Sequence, residues 1–160
     1  MKELVAMFER AGCSHVRHYI QSGNVLFDAK PALSTRVPGL VEAEVERTFG
    51  FRPPVVVRSR DEMEAVARDN PHLSAGLATE SLHVMFLRDR PGAKECAALE
   101  PDRSPPDAFV VRGREIYLFC PSGMGETKLT NAYFDSKLRT TCTARNWRTV
   151  LQLVEMCGAR

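Results

Sequence analysis

The chain is short of most features that announce a function. No apolar run in its 160 residues approaches the ~18 of a membrane-spanning helix. Its first residues also lack the basic-then-apolar order of a secretion signal, so a cytoplasmic protein with no membrane partner is expected. Neither sign of charge dominates: 22 Lys and Arg stand against 20 Asp and Glu, a net charge of +2, too small a bias to indicate nucleic acid by itself. The cysteines, Cys13, Cys96, Cys120, Cys142 and Cys157, are odd in number and never spaced Cys-x-x-Cys. That pattern argues against a disulfide framework or a structural zinc site and reads as small core residues in a reducing compartment. His15, His18, His72 and His83 show neither His-x-x-x-His spacing nor a glutamate partner, and no Gly-x-Ser-x-Gly elbow occurs. No metal, cofactor or catalytic residue is therefore assigned, and whether the chain is an enzyme stays open.

What is present is an ordinary globular composition, 44% hydrophobic and 26% charged, enough for one domain or two small ones. Met1, Leu4, Val5, Phe8 and Ala11 share one helical face that stops at Gly12. Val16, His18 and Ile20 alternate into Ser22-Gly23-Asn24 and Val25-Leu26-Phe27, a hairpin pattern. A helix from Pro38 to Phe49 is expected to turn Leu40, Val41, Val45 and Phe49 inward, and Val55-Val56-Val57 reads as a buried strand. Ser59-Arg60-Asp61-Glu62 has the form of a capping box, opening a helix that Asn70-Pro71 ends.

Small and polar residues from there to about Ser81 read as a linker, with a boundary near residue 75. In the second half, Leu82–Leu87 is a strand, Ala93 to Leu99 a helix, and Ala108–Val111 with Ile116–Phe119 a hairpin about Gly113. Leu129, Ala132, Tyr133 and Ser136 mark a helix, followed by a strand near Thr140–Cys142 and a last helix opened by Thr143–Thr149. The order β-α-β-β-α-β-α therefore occurs here, and the same order minus its first strand occurs before it. The fold expected is α+β, two ferredoxin-like (α/β-plait) modules over residues 1–75 and 76–160, the first lacking its N-terminal strand. Without that central strand the hairpin and the Val55 strand lose their shared neighbour, which points first to N-terminal truncation, otherwise to a misassigned start or to a strand supplied from elsewhere, such as a second subunit.

Tyr19-Ile20-Gln21-Ser22-Gly23-Asn24-Val25-Leu26-Phe27 together with Thr143-Ala144-Arg145-Asn146-Trp147-Arg148-Thr149 resembles domain-of-unknown-function family 1697. Phe49-Gly50-Phe51, Asn70-Pro71, Ile116-Tyr117-Leu118, Pro121-Ser122-Gly123 and Lys128-Leu129-Thr130-Asn131 add to the likeness, which spans nearly the whole chain. Ala144 stands where a second threonine is common in the family. The resemblance implies a fold but no substrate. It also implies a preceding strand and a glycine-rich stretch like Leu-Arg-Gly-Ile-Asn-Val-Gly-Gly, absent from this sequence.

The candidate chemistry is anion binding. Read as a helix start, Arg145 to Thr149 brings free backbone N–H groups beside two arginines, with Asn146 or Thr143 as cap. Trp147, Val150, Leu151, Val154 and Cys157 then form one apolar stripe, anchored by Trp147, while Arg145, Arg148, Thr149 and Gln152 face outward. From Pro121 onward six basic residues oppose three acidic ones. Gly123, Gly125 and Lys128 precede a helix, but P-loop spacing fails and Glu126 opposes an anion, so a turn is the plainer reading. Arg112-Gly113 with Tyr117 and Phe119 imitates an RNA-recognition strand loosely, and both aromatics read more naturally as core. Cys142, beside a helix start, is reactive only if exposed.

These residues lead first to a binding module for an anionic partner, a nucleotide or nucleic acid, through Lys128, Arg145, Asn146, Arg148, Gly123 and Gly125. An enzyme acting on a small phosphorylated or nucleotide substrate is the alternative. A non-catalytic interaction protein that forms a homodimer is the third reading.

Overall fold

The computed structural model describes residues 1–159. The chain is α+β, with two antiparallel sheets in two compact units, Met1–Val57 and the part from Arg58 onward. The division falls well before residue 75, because the capping-box helix packs with the C-terminal elements.

The first unit runs α1 (Lys2–Arg10), β1 (Ser14–Tyr19), β2 (Asn24–Asp28), α2 (Pro31–Ser34) and α3 (Val37–Phe49). Its β1–β2 hairpin is the whole of its sheet. Met7, Phe8 and Cys13 pack with Val37, Val41 and Val45, with Val16, Val25 and Phe27 against them. The rings of Phe8 and Phe27 lie 5.1 Å apart. Two expectations fail here. Leu40 and Phe49 are 37% and 56% exposed, since the stripe of α3 that reaches the core is Val37, Val41 and Val45, at i, i+4 and i+8. Val55-Val56-Val57 forms no strand: Pro53 and Pro54 supply no donor to a ladder, and the Val55 N–H donates to the buried Glu42 carboxylate at 2.9 Å.

The second unit contains α4 (Arg60–Arg68), α5 (Pro71–Ser74), a 3-10 turn over Thr79–Ser81, β3 (Leu82–Leu87), α6 (Ala93–Ala97), β4 (Ala108–Arg112), β5 (Glu115–Phe119), α7 (Asn131–Leu138), β6 (Cys142–Asn146) and α8 (Trp147–Gly158). Its four strands pair antiparallel in the order β4-β5-β3-β6. Leu82, Val84, Met85, Phe86 and Leu87 of central β3 are all buried, as a strand covered on both faces requires. Met85, Leu87, Ile116 and Leu118 join Phe134, Leu138 and Cys142 in one core. On the other face α8 packs on β3 and β6, and α4 packs on α8.

The capping box forms as its sequence demands: Ser59 Oγ accepts the Glu62 N–H at 3.2 Å, and Glu62 accepts the Ser59 N–H at 2.7 Å. The preceding residue, Arg58, has a side chain only 4% exposed. Its guanidinium donates to Glu115 Oε1, to the Leu87 carbonyl and to the Arg114 carbonyl, each at 2.8 Å, and lies 5.5 Å from the centre of the Phe86 ring. Burial pulls its pKa down, and the Glu115 carboxylate opposes that pull.

Removing such a group strands a carboxylate and two carbonyls that have lost its donors. Arg58→Met is therefore expected to cost about 3–5 kcal/mol in urea unfolding, whereas Arg60→Ala, in an exposed pair with Glu64, should cost less than about 1 kcal/mol.

Candidate functional site

The segment that drew attention in the sequence is divided between two elements. Cys142–Asn146 is β6, and α8 begins only at Trp147, so Arg145 is a strand residue rather than part of a helix start. It stands opposite Val84 in the ladder, half-buried, and its guanidinium donates to Thr143 Oγ1 at 2.5 Å and the Ala144 carbonyl at 2.7 Å. Burial lowers its pKa. The reason for the difference is pairing: β3 needs a neighbour on this side, and its ladder holds Thr143–Asn146 extended.

Asn146 caps α8, its Oδ1 accepting the Thr149 N–H at 2.8 Å. Trp147 and Val150 are 3% and 0% exposed, in a helix that packs on α4, β3 and β6. Two positions exchange their expected faces: Thr149, expected outward, is buried, and Leu151, expected in the apolar stripe, is 46% exposed. The covered face runs through Thr149, Val150, Leu153 and Cys157 with Trp147 at its edge, which leaves Leu151 beside Arg148 and Glu155 on the exposed side. Arg148 is exposed. With Thr79, Glu80, Trp147, Leu151, Gln152 and Glu155 it lines a shallow groove of about 450 Å³.

Lys128 lies elsewhere, in a groove with Leu99, Glu100, Pro101, Asp102 and Arg103 that shares no residue with the first. The loop before it folds on itself. Gly123, at φ +85°, donates its N–H to the Cys120 carbonyl at 3.0 Å, and the Lys128 N–H goes to Ser104 Oγ at 3.0 Å. These backbone donors are used within the fold, and Gly125 has open space about it. A single cationic surface of Lys128, Arg145 and Arg148 is thus not assembled by any contact.

The reactive side chains are withdrawn. Cys142 is buried, and burial with the nearby Asp135 carboxylate raises its pKa. Burial also pushes the Cys120 thiol up to about 11 and Tyr117 up to about 12. Tyr117 is 3% exposed, so it cannot stack on a base. The ring of the buried His72 lies 3.0 Å from the Tyr117 carbonyl oxygen. Among the described residues no group of three or more His, Cys, Asp or Glu side chains could hold a metal ion, and no helix is long and apolar enough to cross a membrane.

The family model described as "Protein of unknown function (DUF1697)" matches residues 1–117. The chain belongs to this family. The hairpin motif Tyr19–Phe27 lies inside the matched region and the Thr143–Thr149 motif beyond it. Among solved structures the DUF1697 chain is similar to the conserved bacterial protein SP0830 from Streptococcus pneumoniae, at 20% identity and a TM-score of 0.66, over 99% of this chain and 88% of that one. That likeness concerns the fold alone. No curated protein matches.

Sequence reasoning placed Arg148 and Gln152 on the outward face of α8 but missed Leu151 there, because the apolar period alone assigned Leu151 to the core. A signal was available in the charges: Arg148 sits in the first turn and Glu155 near the end, each at the terminus where the helix dipole disfavours it.

The withdrawn thiols and phenol set a pH dependence. Their folded pKa values are raised, so the stability they contribute is full below the unfolded values of 9.0 for Cys120 and 10.0 for Tyr117 and is lost as pH climbs toward about 11 and 12. Urea unfolding followed from pH 7 to 11 should show stability falling above about pH 9. A disulfide reagent at neutral pH should modify the half-buried Cys96 and Cys157 first and reach Cys120 and Cys142 only on unfolding.

Proposed function

We propose that this protein acts by binding a macromolecular partner through the outward face of α8, as a non-catalytic interaction protein. The carrying observation is Leu151, a large apolar side chain 46% exposed in a groove whose rim carries Arg148, Glu80 and Glu155. An apolar centre within a charged rim is the ordinary construction of a contact surface. The strand order β4-β5-β3-β6, with the unit's first strand between its third and fourth, supports reading the second unit as a ferredoxin-like α/β plait. In that arrangement α8 is an addition after the last strand, free to carry a surface.

An anionic partner, a nucleotide or nucleic acid, is the second reading. It draws on Arg148, exposed in the first turn of α8. Glu80 and Glu155 in the same groove oppose it, and Arg145 is occupied along its own strand. Weak binding of a single-stranded oligonucleotide that falls steeply with salt and disappears in Arg148→Ala would favour this second reading over the first.

A contact face is dispensable to the fold that carries it. Leu151→Glu should leave urea stability within about 0.5 kcal/mol of the parent. A loss of about 2 kcal/mol or more would mean that Leu151 serves the core, and the proposal of a binding face would fall.

A further inference from the structure

The partner of the α8 face can be named from its own charges. Arg148, Leu151, Gln152 and Glu155 stand at i, i+3, i+4 and i+7, hence on one side of the helix. Arg148 and Glu155 are both exposed, and among the described residues neither takes part in an ion pair. They lie about 10 Å apart along the axis at 1.5 Å per residue. The midpoint between positions 148 and 155 coincides with that between 151 and 152. A two-fold axis through this point, perpendicular to the helix, sets Arg148 of one chain against Glu155 of another and Glu155 against Arg148. It places the two Leu151 side chains on either side of the centre.

We infer that α8 is a homodimer contact, an antiparallel pair of α8 helices related by a two-fold axis between Leu151 and Gln152. Three features agree on this occupant. The stripe is self-complementary in charge, as an isologous interface requires. Its centre is the exposed apolar Leu151. Within one chain the basic residue sits at the positive end of the helix dipole and the acidic residue near the negative end, whereas an antiparallel neighbour reverses both the facing charge and the facing dipole. Thr79 and Glu80 border the groove and widen the contact. A helix of 12 residues with this rim makes a small, reversible interface rather than an obligate one. The inference rests on α8 being a binding face, and it adds that the partner is a second copy.

Sedimentation equilibrium of the full chain tests it, using the parent, Arg148→Glu, Glu155→Arg, the double variant, and a one-to-one mixture of the two single variants. By symmetry each substitution acts twice, so each single reversal should weaken the dimer roughly tenfold or more. The double variant and the mixture should both recover it, since every facing pair is again opposite in sign. Thermal melts at a concentration where the parent is monomeric should not fall below the parent's for any variant, because the substituted positions are exposed and each reversal also suits the dipole of its own helix. A parent that stays monomeric up to about 1 mM, a dimer indifferent to both reversals, or a mixture no tighter than its components would each overturn the inference. A monomeric parent whose Leu151→Glu variant keeps its stability would refute self-association alone. A Leu151→Glu variant that loses the fold would refute the binding face itself.

Discussion

The second unit depends on one buried fork, the guanidinium of Arg58. It joins two places remote from it in sequence: the carbonyl at the end of β3, and the β4–β5 turn, where it meets the Arg114 carbonyl and the adjoining Glu115 carboxylate. A lysine could not do this, because the arrangement needs planar donors aimed in different directions from one charged group. The next residue, Ser59, caps α4, and Glu62 both closes that cap and pairs with Arg114. The start of α4 is thus tied to one end of the sheet through charged hydrogen bonds rather than apolar contact alone.

That tie has consequences at the other end of the unit. With the start of α4 tied to the sheet, α8 packs on α4 and on β3 and β6, and its rotation about its own axis is decided by which side chains fit against them. Trp147 and Val150 fill that space, and Thr149 is buried with them. Leu151 is turned outward. The outward stripe that carries the functional proposal is therefore a by-product of packing whose constraint begins at Arg58. The charges on the stripe run against the dipole of their own helix, which is why they make sense as contacts with something outside the chain.

Much of the architecture was legible in the residues. Periodicity marked α1, α3 and α7, the capping box marked α4 to the residue, and glycine with asparagine marked the first hairpin, because each signal is local and carries its own hydrogen-bond or steric cause. The family too was legible, from two motifs. Less legible were the places where a partner distant in sequence decides the outcome. Val55-Val56-Val57 has strand composition, yet a strand requires a neighbour, and no ladder forms on it. Thr143–Asn146 carries helix-start residues, yet the free side of β3 held them extended. Phe49 and Leu151 obey an apolar period, yet a period of 3.6 marks a band wider than the stripe a neighbouring element covers.

The candidate site shows the same division. Sequence alone determined that Asn146 could cap a helix, that Trp147 would anchor it, and that Gly123 to Lys128 would turn, since capping geometry, side-chain volume and glycine's conformational freedom are properties of the residues themselves. Tertiary structure alone decided that Arg145 lies along a strand while Arg148 stays exposed, that Lys128 borders a different groove, and that the face shared by Arg148, Leu151 and Glu155 is left uncovered. Exposure is a property of what covers a side chain, and central β3 takes the cover of both its faces from α7 and α8, tens of residues away.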